Sequence, residues 1–317
     1  MRHAPEVCRS GRRTDGYPRR VLNAAILINP TSGKGRSAKN APLAVARLRE
    51  RGMDVEVIEA GSAQESLDRA RDAVTAGVEA LIACGGDGTV HLALQAVYGT
   101  DTVLGIIPVG TGDDIARGLD LPRDDPRRAA DVIADGRTRT IDYAVINAAD
   151  GTERAFLAVM SAGFDSEVTQ RANTMTWPTG TSRYLLATIA ELGVYKPVDF
   201  AITVDDQTLH EEGMMLAVGN GASYGGGMYV CPGAQLDDGL LDLTLLARTS
   251  KFTFLKTFPS VFKGTHVNRP FVRTLRGAKV HVEAAGQTAY ADGERVAPLP
   301  VDVHVVPRGL RVFASVG

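Results

Sequence analysis

Three cysteines in 317 residues, Cys8, Cys84 and Cys231, are too few and too far apart for a disulfide framework. No CxxC pair offers a zinc ribbon, and the six histidines show no HExxH spacing. Lysine is scarce, with seven of the 35 basic residues, so cationic sites fall mainly to arginine. A formal net charge of −2 lacks the basic excess of a general nucleic-acid binder, and no nucleic-acid partner is expected. No run approaches the ~20 consecutive apolar residues of a spanning helix, so a membrane can be touched but not crossed. Residues 1–20 carry six arginines against Glu6 and Asp15 and lack the apolar core of a secretory signal. They read as a disordered basic arm on a cytoplasmic protein.

What the chain does have is a hydrophobic share of 44% and a length that suits two domains, each able to bury a core. From residue 21 to 140, apolar strand-like runs alternate with helix-like segments: 21–29, a helix over 42–51, 54–58, a helix through Leu67 and Val74, 80–84, and 103–109. That alternation predicts an α/β domain with a parallel sheet. From 141 to 305 short alternating segments and glycine, proline and aspartate turns predict an antiparallel β-sandwich-like domain. Two helices interrupt it, one through Leu185, Ile189 and Leu192, the other near Lys251–Lys263. Residues 306–317 are expected to return as a strand to the first domain.

Gly85-Gly86-Asp87-Gly88-Thr89, placed between a buried strand and a helix, suits an anion, because glycine amides and a helix N-terminus both attract one. A carboxylate among such amides would repel phosphate unless it holds a cation, so Asp87 predicts a metal-bound nucleotide. Two more turns follow parallel strands at the same sheet edge. They are Asn29-Pro30-Thr31-Ser32-Gly33-Lys34-Gly35, with Lys34 and Arg36 as cations, and Gly110-Thr111-Gly112-Asp113-Asp114. None fits the Walker or Rossmann pattern. Gly221-Ala222-Ser223-Tyr224-Gly225 matches GxSxG, but Gly225–Gly227 and Pro232 deny the helix that a nucleophile elbow needs. Trp177 reads as a loop residue.

In their order along the chain, these motifs resemble the diacylglycerol kinase catalytic family, particularly its soluble bacterial lipid kinases, which are also similar to sphingosine and ceramide kinases. The likeness continues through Gly219-Asn220, Gly225–Gly227, Leu236-Asp237-Asp238-Gly239 and Asp292-Gly293-Glu294, and spans residues 21–314. It implies ATP-dependent phosphorylation of a lipid hydroxyl, diacylglycerol to phosphatidic acid, in an interdomain cleft. ATP would meet residues 29–33, Gly86 through Thr89, Val90, His91 and Leu92, and Thr111. Asp113 stands where relatives often have Asn, and Ala60 lies near the place of a Thr whose ATP contact would be absent. Glu294 is nominated as general base with Asp292 in support, and Asp87 rivals it as base or Mg²⁺ ligand. Taken alone, the Asp-Gly-Glu turn would be a solvated hairpin.

The resemblance also implies a structural Mg²⁺ at Asp238, with Gln235 and Leu240 supplying neutral oxygens. Phe252, Phe254, Phe258 and Phe262, among Lys251, Lys256 and Lys263, read first as a helix packed on the sandwich and second as an interfacial segment. Contact with the membrane would be peripheral and transient, and a homodimer is left open. The rival enzyme is a NAD kinase. The rival from another class is a nucleotide- or lipid-binding regulatory protein without catalysis.

Overall fold

The computed structural model describes residues 22–29, 36–164 and 195–315. The basic arm, the stretch 30–35, Trp177 and the helix through Leu185 and Leu192 lie outside them.

Strands β1 (Asn23–Ile28), β2 (Asp54–Glu59), β3 (Ala80–Gly85) and β4 (Val103–Pro108) pair in parallel in the order β2-β1-β3-β4. Every residue of β3 and β4 is buried, as central strands covered on both faces require, whereas β2 at the edge exposes Asp54, Glu56 and Glu59. Helices α1 (Arg36–Glu50), α2 (Ala63–Thr75) and α3 (Asp87–Val97) provide the crossovers. Helix α1 begins six residues before the expected start at 42: Pro42 sits inside it, on the exposed face where the unpaired carbonyl meets water. Short α4 (Asp114–Gly118) and α5 (Pro126–Ala134) follow.

The second half is antiparallel, as expected. Strands β5 (Thr138–Ala148) and β6 (Glu153–Phe156) form a hairpin, and β7 (Val159–Gly163), β9 (Gln207–Gly219), β8 (Val198–Val204) and β12 (Lys279–Glu283) run side by side. Strands β10 (Leu241–Ala247) and β11 (Val272–Gly277) extend from β9, and β13 (Thr288–Ala291) and β14 (Glu294–Pro298) extend from β7. They enclose a core that includes Phe156, Met160, Phe200, Ile202, Leu216, Leu243 and Val280. The last strand, β15 (Val301–Phe313), pairs with β12 and β5 and then sets Val312 in parallel register with Leu104 of β4. One continuous strand thus belongs to both halves.

The segment of phenylalanines forms α6 (Lys251–Thr257) and a 3₁₀ turn over Phe258–Lys263. Phe254 is buried against Phe164 and Met214, yet Phe252 is 77% and Phe262 42% exposed. Packing on the sandwich therefore describes one side of this segment only.

Candidate active site

Strands β3 and β4 end in register, Gly85 opposite Pro108, so the loops that follow them lie side by side at the C-terminal sheet edge. Their closeness depends on glycine. A Cβ on Gly110 would stand 2.5 Å from the Cα of Gly86, and one on Gly85 would stand 2.1 Å from Thr89 Oγ1. The first turn of α3 starts at Asp87 and directs its amides into this edge. Ile28 ends β1 opposite Cys84 of β3, so Asn29 follows at this edge, and the Arg36 guanidinium donates to the carbonyl of Gly110. Thr111 is exposed on the rim. Val90 is packed in the core and Leu92 lies against it, so only their backbones face the loop.

Three carboxylates crowd the same edge. Asp87 Oδ1 accepts from the Ile115 amide at 3.2 Å, and a Cβ on Gly112 would lie 3.0 Å from Asp87 Oδ2 and 3.3 Å from Asp114 Oδ2. Burial, with the charge of Asp114 and then Asp113 adding to it, pushes the Asp87 carboxyl up to about 7. Asp113 has a left-handed backbone (φ 51°), and its Oδ1 accepts from the Gly110 amide at 3.0 Å. It closes its own turn, a task that Asn and Asp both perform.

Asp114 was not singled out in the sequence beyond its place in the motif, yet it joins the two halves. Its Oδ2 accepts from Gly226 N at 2.6 Å, and its Oδ1 accepts from Gly227 N at 2.8 Å and Ser223 Oγ at 3.1 Å. Arg117 pairs with it as well. Ser223, the serine of the GxSxG pattern, is thus a donor to a carboxylate, and the chain beyond it turns back through a Tyr224–Met228 bridge with no helix. A cavity of about 260 Å³ opens beside this joint, lined by Asp114, Arg117, Arg139, Leu157, Ser223 and Tyr229.

The Asp-Gly-Glu turn connects β13 and β14. Its first acid faces inward: Asp292 Oδ1 accepts from Ala158 N at 2.9 Å, and Oδ2 accepts from Leu157 N at 3.1 Å. His91 Nδ1 lies 3.2 Å from Oδ2, so this side chain of α3 braces the turn and does not reach toward a nucleotide. Glu294 is exposed and points the other way. Its Oε1 comes within 3.1 Å of where a Cβ on Gly88 would sit, against the first turn of α3. The structure therefore brings together Gly85–Thr89, Gly110–Asp114 and Glu294, residues from both halves.

It does not bring the proposed metal turn into this group. Asp238 Oδ1 accepts from Leu240 N at 3.0 Å, and its Oδ2 pairs with the Arg276 guanidinium. Gln235 is exposed, and the turn is fastened by buried Asp142, which accepts from Gly239 N and Arg308 N at 2.7 and 2.6 Å. Among the described residues no three His, Cys, Asp or Glu side chains converge as a metal cage. A site of one acid with neutral oxygens, the set expected at Asp238, is a different arrangement from such a cage, and there the acid has the Arg276 guanidinium beside it. Asp87 suits a cation too, because among the described residues no basic group offsets its raised carboxyl, and Mg²⁺ commonly takes one or two carboxylates with phosphate oxygens and water.

Known proteins share this plan. Residues 23–146 match the model of the diacylglycerol kinase catalytic domain, and 158–314 match the YegS C-terminal NAD kinase beta sandwich-like domain. Two Bacillus anthracis crystal structures share the fold, with TM-scores of 0.78 and 0.71 at 21% and 20% identity. They cover 95% and 93% of this chain and 98% of each of theirs, and the second is a diacylglycerol kinase. An Archaeoglobus fulgidus NAD kinase in complex with ATP aligns at a TM-score of 0.53 and 14% identity over 92% of this chain and 93% of its own. The chain shares its fold with these solved structures. A diacylglycerol kinase of Mycobacterium tuberculosis is 45% identical over 294 residues, covering 92% of this chain and 95% of the relative. The chain belongs to the diacylglycerol kinase family of bacterial lipid kinases.

Proposed function

We propose that the protein transfers the γ-phosphoryl group of ATP to the free hydroxyl of diacylglycerol, giving phosphatidic acid, in the cleft between its halves. The observation that carries this reading is the approach of the Glu294 carboxylate to Gly88, which sets an exposed base at the N-terminus of the phosphate-loop helix. The Gly85–Thr89 loop, at the N-terminus of α3, and the Gly110–Asp114 loop receive the phosphates. Asp87 is the residue that would hold Mg²⁺, whose contribution is to neutralise charge on the phosphate oxygens. Glu294 takes the hydroxyl proton as the acceptor oxygen bonds to the γ-phosphorus and the bond to the ADP oxygen breaks. The cavity between Leu157, Ser223 and Tyr229 suits the glycerol end of the lipid, with Arg117 and Arg139 beside it.

The test is ADP release with Mg²⁺ and ATP across diacylglycerol, sphingosine, ceramide and NAD. Release with diacylglycerol supports the reading. Release with NAD but with no lipid overturns it in favour of the NAD kinase alternative.

A further inference from the structure

Large hydrophobic side chains exposed by more than a third are few among the described residues: Val57, Tyr229, Phe252, Leu255 and Phe262. Four of these five share one surface. Phe252 and Leu255 lie on α6, Phe262 lies on the turn that follows, and Tyr229 donates its backbone N–H to Val261 O at 3.1 Å. The surface is held from below. Phe254 stacks edge-on against Phe164 with ring centroids 5.1 Å apart, and Phe258 bridges Phe254 to Phe262 at 6.1 and 6.0 Å. A rigid apolar face kept in water by an anchored helix marks an interaction site and not loose packing.

Its charge points to one occupant. Between Asp242 and Glu283 the chain has no acidic residue and eight lysines and arginines. Arg248, Arg273 and Arg276 pair with Glu212, Glu211 and Asp242 on neighbouring strands. Lys251, Lys256 and Lys263 are exposed around the phenylalanines. Aromatic side chains that reach an acyl boundary, ringed by lysines at headgroup level, match an anionic bilayer. A second copy fits poorly, because a two-fold pairing of this face would oppose cations to cations. The face also continues into the cleft, since Tyr229 lines the cavity beside Asp114.

We infer that α6 and the turn after it form a membrane-docking surface that seats the cleft on anionic lipid. This rests on the reading that the acceptor is a lipid. The test uses the full chain, co-sedimentation with phosphatidylglycerol–phosphatidylcholine vesicles and with phosphatidylcholine alone, and the variants F252A/F262A and K256A/K263A. The wild type is expected to prefer the anionic vesicles, and each variant to lose roughly tenfold or more of that partition. Both variants should melt as the wild type does and turn over a water-soluble short-chain diacylglycerol within about twofold of it. Equal sedimentation of F252A/F262A and wild type overturns the inference, as does a wild type that ignores anionic vesicles. Sedimentation velocity that shows a dimer lost in F252A/F262A, with vesicle binding intact, assigns the face to a second copy and also overturns it. If F252A/F262A loses vesicle binding while the wild type turns over no diacylglycerol, the surface stands and the kinase reading falls.

Discussion

His91 on α3 and Asp292 in the β13–β14 turn meet at 3.2 Å, and the Asp292 side chain is wholly buried. Asp292 also accepts from the amides of Leu157 and Ala158. In the tautomer with its proton on Nδ1, His91 donates to Asp292 Oδ2. Three donors from two elements thus hold the turn that presents Glu294 to the phosphate loop.

Asp292→Ala strands two buried amides, each of which costs about 1–3 kcal/mol. Stability measured by urea unfolding should fall by about 3 kcal/mol, with turnover falling alongside. Asp292→Asn keeps one acceptor oxygen and should fall between the two. An Asp292→Ala protein as stable as the wild type would contradict the bracing role.

The two phosphate loops touch through glycine backbone. Gly110→Ala sets a methyl group 2.5 Å from Gly86 Cα, and backbone on both sides cannot yield cheaply. The loops must part, and KM for ATP should rise tenfold or more. Gly88→Ala meets only the end of the Glu294 side chain at 3.1 Å, so it should lower kcat a few-fold with KM for ATP unchanged. Steady-state kinetics on the pair separates loop geometry from base position.

Asp87 gives stability a pH signature. Its folded carboxyl is raised to about 7 from the ordinary 3.8, so the folded state binds the extra proton between those values. Its contribution is most favourable below 3.8 and declines as pH rises toward 7. Asp87→Asn should therefore stabilise the free protein at pH 8 by about 2 kcal/mol, roughly half of what three pKa units represent, because the carboxylate keeps some contact with solvent. The gain should shrink toward pH 5. Thermal melts of both proteins across this range check it, and a gain independent of pH would sink the assignment. Because Mg²⁺ needs the ionised form, MgATP affinity should weaken as pH drops below 7 in the wild type.

The parallel half was legible because its strands are continuous apolar runs broken by glycine turns, and the Gly85–Thr89 loop announces itself by sitting between a strand and a helix. Glu294 was found only through family likeness, since an Asp-Gly-Glu turn alone is ordinary turn chemistry. The role of Asp114 is not legible in the sequence, because its partners, Gly226 and Gly227, lie 112 and 113 residues away and only the closed fold brings them near. The family likeness assigns His91 to the nucleotide loop, and the bond of its side chain to Asp292, 201 residues away, is visible only in the fold. The exposed half of α6 was hidden for a related reason. A run of phenylalanines at helical spacing reads first as core, and only the fold shows that Phe254 fills the available space and leaves Phe252 outside.

Central to the account is a base that Glu294 supplies to a lipid hydroxyl at the phosphate loop. The direct measurement follows label from γ-³²P-ATP into chloroform-extractable phosphatidic acid with diacylglycerol as acceptor, for the wild type and Glu294→Gln. Label should appear with the wild type and fall at least a hundredfold in Glu294→Gln, roughly the lower bound for losing a general base. The variant should melt like the wild type, because the side chain is exposed. Near-full label transfer by a folded Glu294→Gln protein would contradict it.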